Sequence, residues 1–261
     1  MIQRWAWRSA GILVALALVA SIADMGLLDG ARLARGVRNL ATFAGYLFPP
    51  DASVVPTLIE AMVETVEIAL VGTALGFVLA LPLALAASPL LFGPQVTGPV
   101  KLLLAFVRTV PALFWGIVFV VAVGLGPAAG ALGIAVYSLG YLGKLLNESF
   151  DSVDPEILEA VRSVGAGRLQ LARYAVLPES ANAILAQLLF MFEYNVRASS
   201  IMGFVGAGGI GFYLLSYVQL LRYELLLTGV LVTLVVVVAV ERASAAVRRR
   251  FSEGSEATST P

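Results

Sequence analysis

The sequence predicts an all-helical integral membrane protein that crosses the bilayer six times. Three observations carry that expectation. Of the 261 residues, 59% are hydrophobic and only 13% are charged, roughly half the charge fraction of a soluble domain. The mean hydropathy is +0.92. Several stretches also reach the roughly 20 apolar residues that a helix needs to satisfy every backbone amide inside the hydrocarbon.

The same composition excludes whole classes of function. Seventeen basic residues balance seventeen acidic ones, so no broad basic surface suits nucleic acid. With no Cys and no His, the chain has no disulfide, no thiolate nucleophile, no Ser-His-Asp triad and no imidazole or thiolate zinc ligand. No catalytic residue and no metal site are expected.

The first predicted span covers residues 8–23. Arg4 and Arg8 stand at its start and no convincing small-residue cleavage site precedes Asp24, which predicts an uncleaved anchor, with a signal peptide as the alternative. Leu33, Val37, Leu40, Ala44 and Leu47 then share a helical stripe beside Arg32, Arg35 and Arg38, the pattern of a segment lying flat on the outer interface. Further spans are predicted at residues 56–87, 100–123, 127–146, 178–202 and 223–243. The chain so divides into an N-terminal anchor with an external segment (1–55), a transmembrane domain (56–246) and a basic tail (247–261). The small, polar residues 252–261 are expected to be disordered.

Six spans put both termini on one side. That side collects Arg4, Arg8, Lys101, Lys144, Arg162, Arg168, Arg173, Arg248, Arg249 and Arg250, so the excess of positive charge assigns it to the cytoplasm. Arg32, Arg35, Arg38 and Arg222 remain outside and run against the rule.

The one long polar insertion, residues 147–177, falls on the cytoplasmic side. Asp154, Pro155 and Glu156 form a helix start: the Asp can cap free amides, Pro fits the first turn, and the acids suit the positive end of the helix dipole. A short helix is expected to reach about Val164. Gly165, Ala166 and Gly167 then interrupt it, residues 168–176 resume a helix, and Pro178 marks the return to the membrane.

Within this insertion Glu159-Ala160-Val161 is followed by Gly165 and then Leu177-Pro178. The set resembles the EAA loop of the permease subunits of ABC importers, departing from it at Val161 and Ala175. The resemblance implies a type I ABC importer permease fold whose cytoplasmic coupling helix docks on a separate ATPase. It assigns that role to Glu156, Glu159, Ala160, Gly165 and Ala166. A solvated amphipathic loop is the alternative. Further motifs are Arg108-Thr109-Val110-Pro111, Gly124-Leu125-Gly126-Pro127, Leu142-Gly143-Lys144-Leu145 and Glu193-Tyr194-Asn195-Val196-Arg197, the last leading into the glycine-rich residues 203–211. Together they are similar to the phosphonate branch of these importers, with Tyr137 where many relatives carry a histidine.

Ionised side chains inside spans normally face an interior path or a partner. Glu193 and Arg197 lie four apart in the order that favours a pair, so they are read either as a structural pair or, at Arg197, as a guide for an anionic headgroup. Arg108 carries the same ambiguity, with carbonyls freed by Pro111 as its expected partners. Glu60, Glu64 and Glu67 form an acidic stripe, a solvated face or a docking surface for a basic partner. Gly206, Gly208, Gly209 and Gly211 are gate candidates whose amides could cradle an anion or whose small size could serve helix packing.

No Gly-x-x-x-x-Gly-Lys-Ser/Thr sequence is present, so ATP and magnesium are expected on a partner ATPase and no cofactor on this chain. The expected assembly is a homodimer with two ATPase subunits and an external phosphonate-binding protein. Phosphate, phosphite and hypophosphite are the alternative substrates. An intramembrane enzyme built on carboxylates such as Glu193 and Glu64, and a passive channel, are the competing functions.

Overall fold

The computed structural model describes the backbone of residues 2–256 and the side chains of residues 11–251. The described residues are helical or in turns, with no strand. The chain forms two units, Met1–Pro50 and Asp51–Pro261.

The first unit holds α1 (Ile2–Asp24) and α2 (Gly30–Leu47). Asp29 caps α2 by accepting from the amides of Ala31 and Arg32 at 2.9 and 3.0 Å, which satisfies two otherwise free donors. No residue of α2 is buried.

The second unit opens with Asp51. Its carboxyl is held below the usual range by hydrogen bonding from Ser53, and its carbonyl accepts from the Thr228 hydroxyl at 3.0 Å. The long helices follow: α3 (Val55–Ala87), α4 (Pro94–Thr109), α5 (Ala112–Val123) and α6 (Pro127–Asp151). Next come α7 (Pro155–Ser163), α8 (Arg168–Leu171), a π-turn over Ala172–Val176, and α9 (Leu177–Glu179). The unit closes with α10 (Ala181–Met202), α11 (Ile210–Gln219) and α12 (Tyr223–Glu256).

Helix α6 is the hub, with α3, α4, α5 and α10 all packed on it. Small residues permit this crowding. A Cβ added at Gly72 would lie 2.5 Å from Ile134 Cγ2, and one at Gly76 would lie 2.5 Å from Ser138 Cβ. Glycines four apart on one helix face let two backbones approach closely, the usual solution where lipid offers no hydrophobic drive for helix association. Inside that contact Asn195 is fully buried and donates to Thr73 Oγ1 and Ser138 Oγ at 2.8 and 2.7 Å, joining three helices through one amide.

Among the described residues, three helices are long and apolar enough to cross a membrane: Ala52–Ala87, Pro127–Asp151 and Tyr223–Phe251. Two bent pairs bring the number to five if each is one span. The expected third span, residues 100–123, is broken: Val110 is extended before Pro111, and α4 and α5 diverge by 87°. Proline disfavours the helical conformation at the residue before it, and here the chain turns where only a loosened helix was expected. The expected fifth span is bent by 68° at Ser180, where α9 gives way to α10. Over the described side chains, the first expected span contributes only a shorter apolar helix, Gly11–Asp24. The tail also differs from expectation, since α12 continues to Glu256. Residues 257–261 of that tail lie outside the described residues.

Candidate functional site

The polar insertion folds into a braced bracket at the end of α6. Asp154 accepts from the Glu156 amide at 2.8 Å and Pro155 occupies the first turn of α7, as the helix-start signal predicts. Leu158 is buried in one cluster with Phe150, Val153, Leu171, Ala175 and Val176. Arg162 Nη2 donates to the Leu90 carbonyl at 3.0 Å, tying the last turn of α7 to the α3–α4 connection. Gln187 Nε2 donates to Leu145 O and Ser149 Oγ, which fixes α10 to the same end of α6.

The opposite face of the bracket has no partner among the described residues. Glu156, Glu159 and Ala160 are exposed, and beyond them Val164 and Leu169 are 82% and 81% exposed. Gly165 makes the elbow with φ +81°, a conformation that side-chain-bearing residues rarely adopt. Ala166 is half-buried and lines a cavity of about 340 Å³ with Phe92, Arg162 and Arg168. Glu156, Glu159 and Ala160 thus share the short helix α7, with Gly165 and Ala166 in the turn that follows it.

The pathway candidates are not gathered in this way. Glu193 and Arg197 do not pair with each other. Glu193, almost wholly buried, accepts from Arg248 Nη1 at 2.8 Å, and Arg197 pairs with Glu241. Both acids and both bases lie on α10 and α12, antiparallel neighbours, so cross-helix geometry overrides the local spacing that suggested an internal pair. Arg108 differs from expectation too. The Val107 carbonyl near the break accepts from Trp115 Nε1 at 3.3 Å, while the Arg108 guanidinium lies over the Tyr141 ring, 5.9 Å from its centroid.

The glycine-rich residues lie at the other end of α6, a helix of 25 residues and so about 37 Å long. The amides of Gly206, Ala207, Gly209 and Ile210 are already engaged. Gly209 N donates to Glu64 Oε1 at 3.1 Å and Ile210 N to Thr65 Oγ1 at 2.8 Å, which caps α11 from α3. A helix start that could cradle an anion thus holds the protein's own carboxylate. Glu64 leaves the expected solvated stripe to do this, while Glu60 and Glu67 stay exposed. Gly206 O accepts from Gly126 N at 2.9 Å, Gly208 sits against Pro127, and Gly211 packs on Gly203 and the Ser200 carbonyl.

Sequence reasoning missed a tyrosine cluster. Tyr137 Oη donates to Tyr194 Oη at 3.1 Å, and Tyr141 stacks on Tyr194 with centroids 6.4 Å apart. The spacing of Tyr137 and Tyr141, one helical turn apart on α6, was the available signal. It also missed Asn195 as a packing node and the Gly72/Gly76 pair, for which small residues four apart were the signal.

The described residues thus form an all-helical bundle with a braced polar helix at one end. The chain belongs to the family of binding-protein-dependent transport system inner membrane components, whose profile matches residues 72–253. The phosphite transport system permease protein PtxC of Stutzerimonas stutzeri is 37% identical over 94% of this chain and 90% of that protein. The phosphate-import permease protein PhnE of Mycolicibacterium smegmatis is 40% identical over 74% of this chain and 37% of that longer protein. Among solved structures, an inward-facing form of the MetNI methionine ABC transporter superposes with a TM-score of 0.69 at 22% identity, covering 77% of this chain and 98% of that one. At that identity the likeness concerns the fold.

Proposed function

We propose that this chain is the permease subunit of an ATP-driven importer of phosphonates, forming the pathway as a homodimer. Two ATPase subunits dock on α7, and an external binding protein delivers the substrate. Both termini lie in the cytoplasm and six spans line the path. The observation that carries this reading is the bracket around α7. Its inner face is locked to the ends of α6, α10 and the α3–α4 connection, while its outer face shows acidic and large apolar side chains outside the spans. Exposed apolar groups beside a rigid helix suit a protein partner, and a rigid helix can pass the closing motion of that partner to the spans.

ATP and magnesium belong to the partner ATPase in this reading. Arg108, Glu193, Arg197 and the glycines at 206, 208, 209 and 211 are the pathway and gate positions. The second reading keeps the machinery and changes the cargo to phosphite. It is favoured by the named function of the Stutzerimonas relative, which matches nearly end to end. The test is ATP hydrolysis in liposomes holding this chain, its ATPase and its binding protein. Stimulation by a phosphonate is expected. Stimulation by phosphite or phosphate alone would replace the substrate, and no stimulation of an assembled complex would overturn the importer.

A further inference from the structure

Arg108 is the odd charge in a cavity of about 270 Å³ between α4 and α6. Lys101, Lys144, Glu148 and Asp151 line the same cavity. Lys101 pairs with Asp151 at 3.7 Å and Lys144 with Glu148 at 3.1 Å. These two pairs consume both carboxylates, and among the described residues Arg108 makes no ion pair and lies over the Tyr141 ring. A guanidinium within a span is costly unless it meets water or an anion, and a ring face offsets little of that cost.

The tyrosines extend this position toward a second cavity. Tyr194, stacked on Tyr141, shares a hydroxyl–hydroxyl hydrogen bond of 3.1 Å with Tyr137, which leaves that pair of phenols one further donor between them. Tyr194 lines a cavity of about 290 Å³ together with Leu113, Arg197 and Met202. One planar cation and one phenol therefore meet the same ring, each lining its own cavity at the small end of the range for ligand sites. The carboxylates of the first cavity are taken by its two lysines, and no carboxylate lines the second. Guanidinium and phenol donors together suit the tetrahedral array of acceptors on a phosphorus oxyanion.

We propose that Arg108 and Tyr194, held in place by Tyr141 and Tyr137, form a subsite that binds the phosphorus oxyanion as it passes between these cavities. The proposal rests on the importer reading and names the side chains that hold its cargo. It also separates Arg108 from Glu193 and Arg197, whose charges are consumed in cross-helix pairs.

The test uses the whole complex in liposomes, with uptake of phosphite, methylphosphonate and phosphate measured beside ATP hydrolysis stimulated by the binding protein. In Arg108→Gln, uptake is expected to fall about tenfold while stimulated hydrolysis persists, the loss of one charge-assisted hydrogen bond. Arg108→Lys should fall between the two, and Tyr194→Phe should lose about threefold. Uptake by Arg108→Gln at the wild-type rate would overturn the subsite. So would equal loss of uptake and stimulated hydrolysis in both Arg108 variants, which marks a structural role. The phosphodiester of a lipid headgroup offers the same chemistry, so the set is repeated with and without phosphatidylglycerol. A defect that appears only with that lipid would transfer the site to the bilayer and overturn the proposal. If the wild-type complex imports none of the three oxyanions, the importer reading itself falls and the subsite with it.

Discussion

At Gly165 the backbone, rather than the space around it, restricts what can stand there. Its φ is +81° and a Cβ built on it meets nothing within 4 Å. A side chain would fit but would carry the left-handed strain of about 1–2 kcal/mol. Gly165→Val is therefore expected to insert and assemble yet lose coupling between ATP hydrolysis and uptake, whereas Gly165→Asn, a residue that tolerates this conformation, should stay near wild type. Equal coupling in wild type and the Val variant would show that the elbow angle is irrelevant. The glycine was legible from the sequence because it interrupts a helical pattern at a motif position. Asn195 was not: its role depends on Thr73 and Ser138, which lie far away in sequence and meet it only where α3, α6 and α10 converge.

Between α10 and α12 the charges are arranged as two cross-helix pairs. Glu193 has a side chain only 9% exposed, and removing its partner would strand a buried carboxylate at a cost of about 3–5 kcal/mol. In a double-mutant cycle read by thermal unfolding, Glu193→Gln and Arg248→Gln are expected to show strong coupling, and Glu193→Gln with Arg197→Gln much weaker coupling. The reverse order would restore the internal pair suggested by the spacing. That spacing misled because four-apart charges on one helix are also free to reach outward, and an antiparallel neighbour offered each a better-placed opposite charge. The break at Pro111 was half legible for a similar reason. Proline announces a disturbed helix, but whether the chain bends slightly or turns by 87° depends on what the two halves pack against.

For the whole molecule, α7 is expected to work as a handle. Glu159 is exposed and makes no ion pair among the described residues, so Glu159→Lys should leave thermal unfolding unchanged within about 0.5 kcal/mol while sharply reducing ATP hydrolysis by the assembled complex. Unchanged hydrolysis would remove α7 from the docking surface. Much of this molecule was determined by sequence alone: the helical class, the approximate positions of the second, fourth and sixth expected spans, and a capped helix in the polar insertion. These features follow from local physics, since apolar length, proline, glycine and capping residues act on their own neighbourhood. Tertiary structure alone decided which charges pair, that Glu64 and Thr65 occupy the amides at the start of α11, and that Tyr137, Tyr141 and Tyr194 join Arg108 to a second cavity. The physical reason is that a hydrogen bond or ion pair is chosen by distance in space, and the crossing of helices brings together residues whose separation along the chain carries no mark of it.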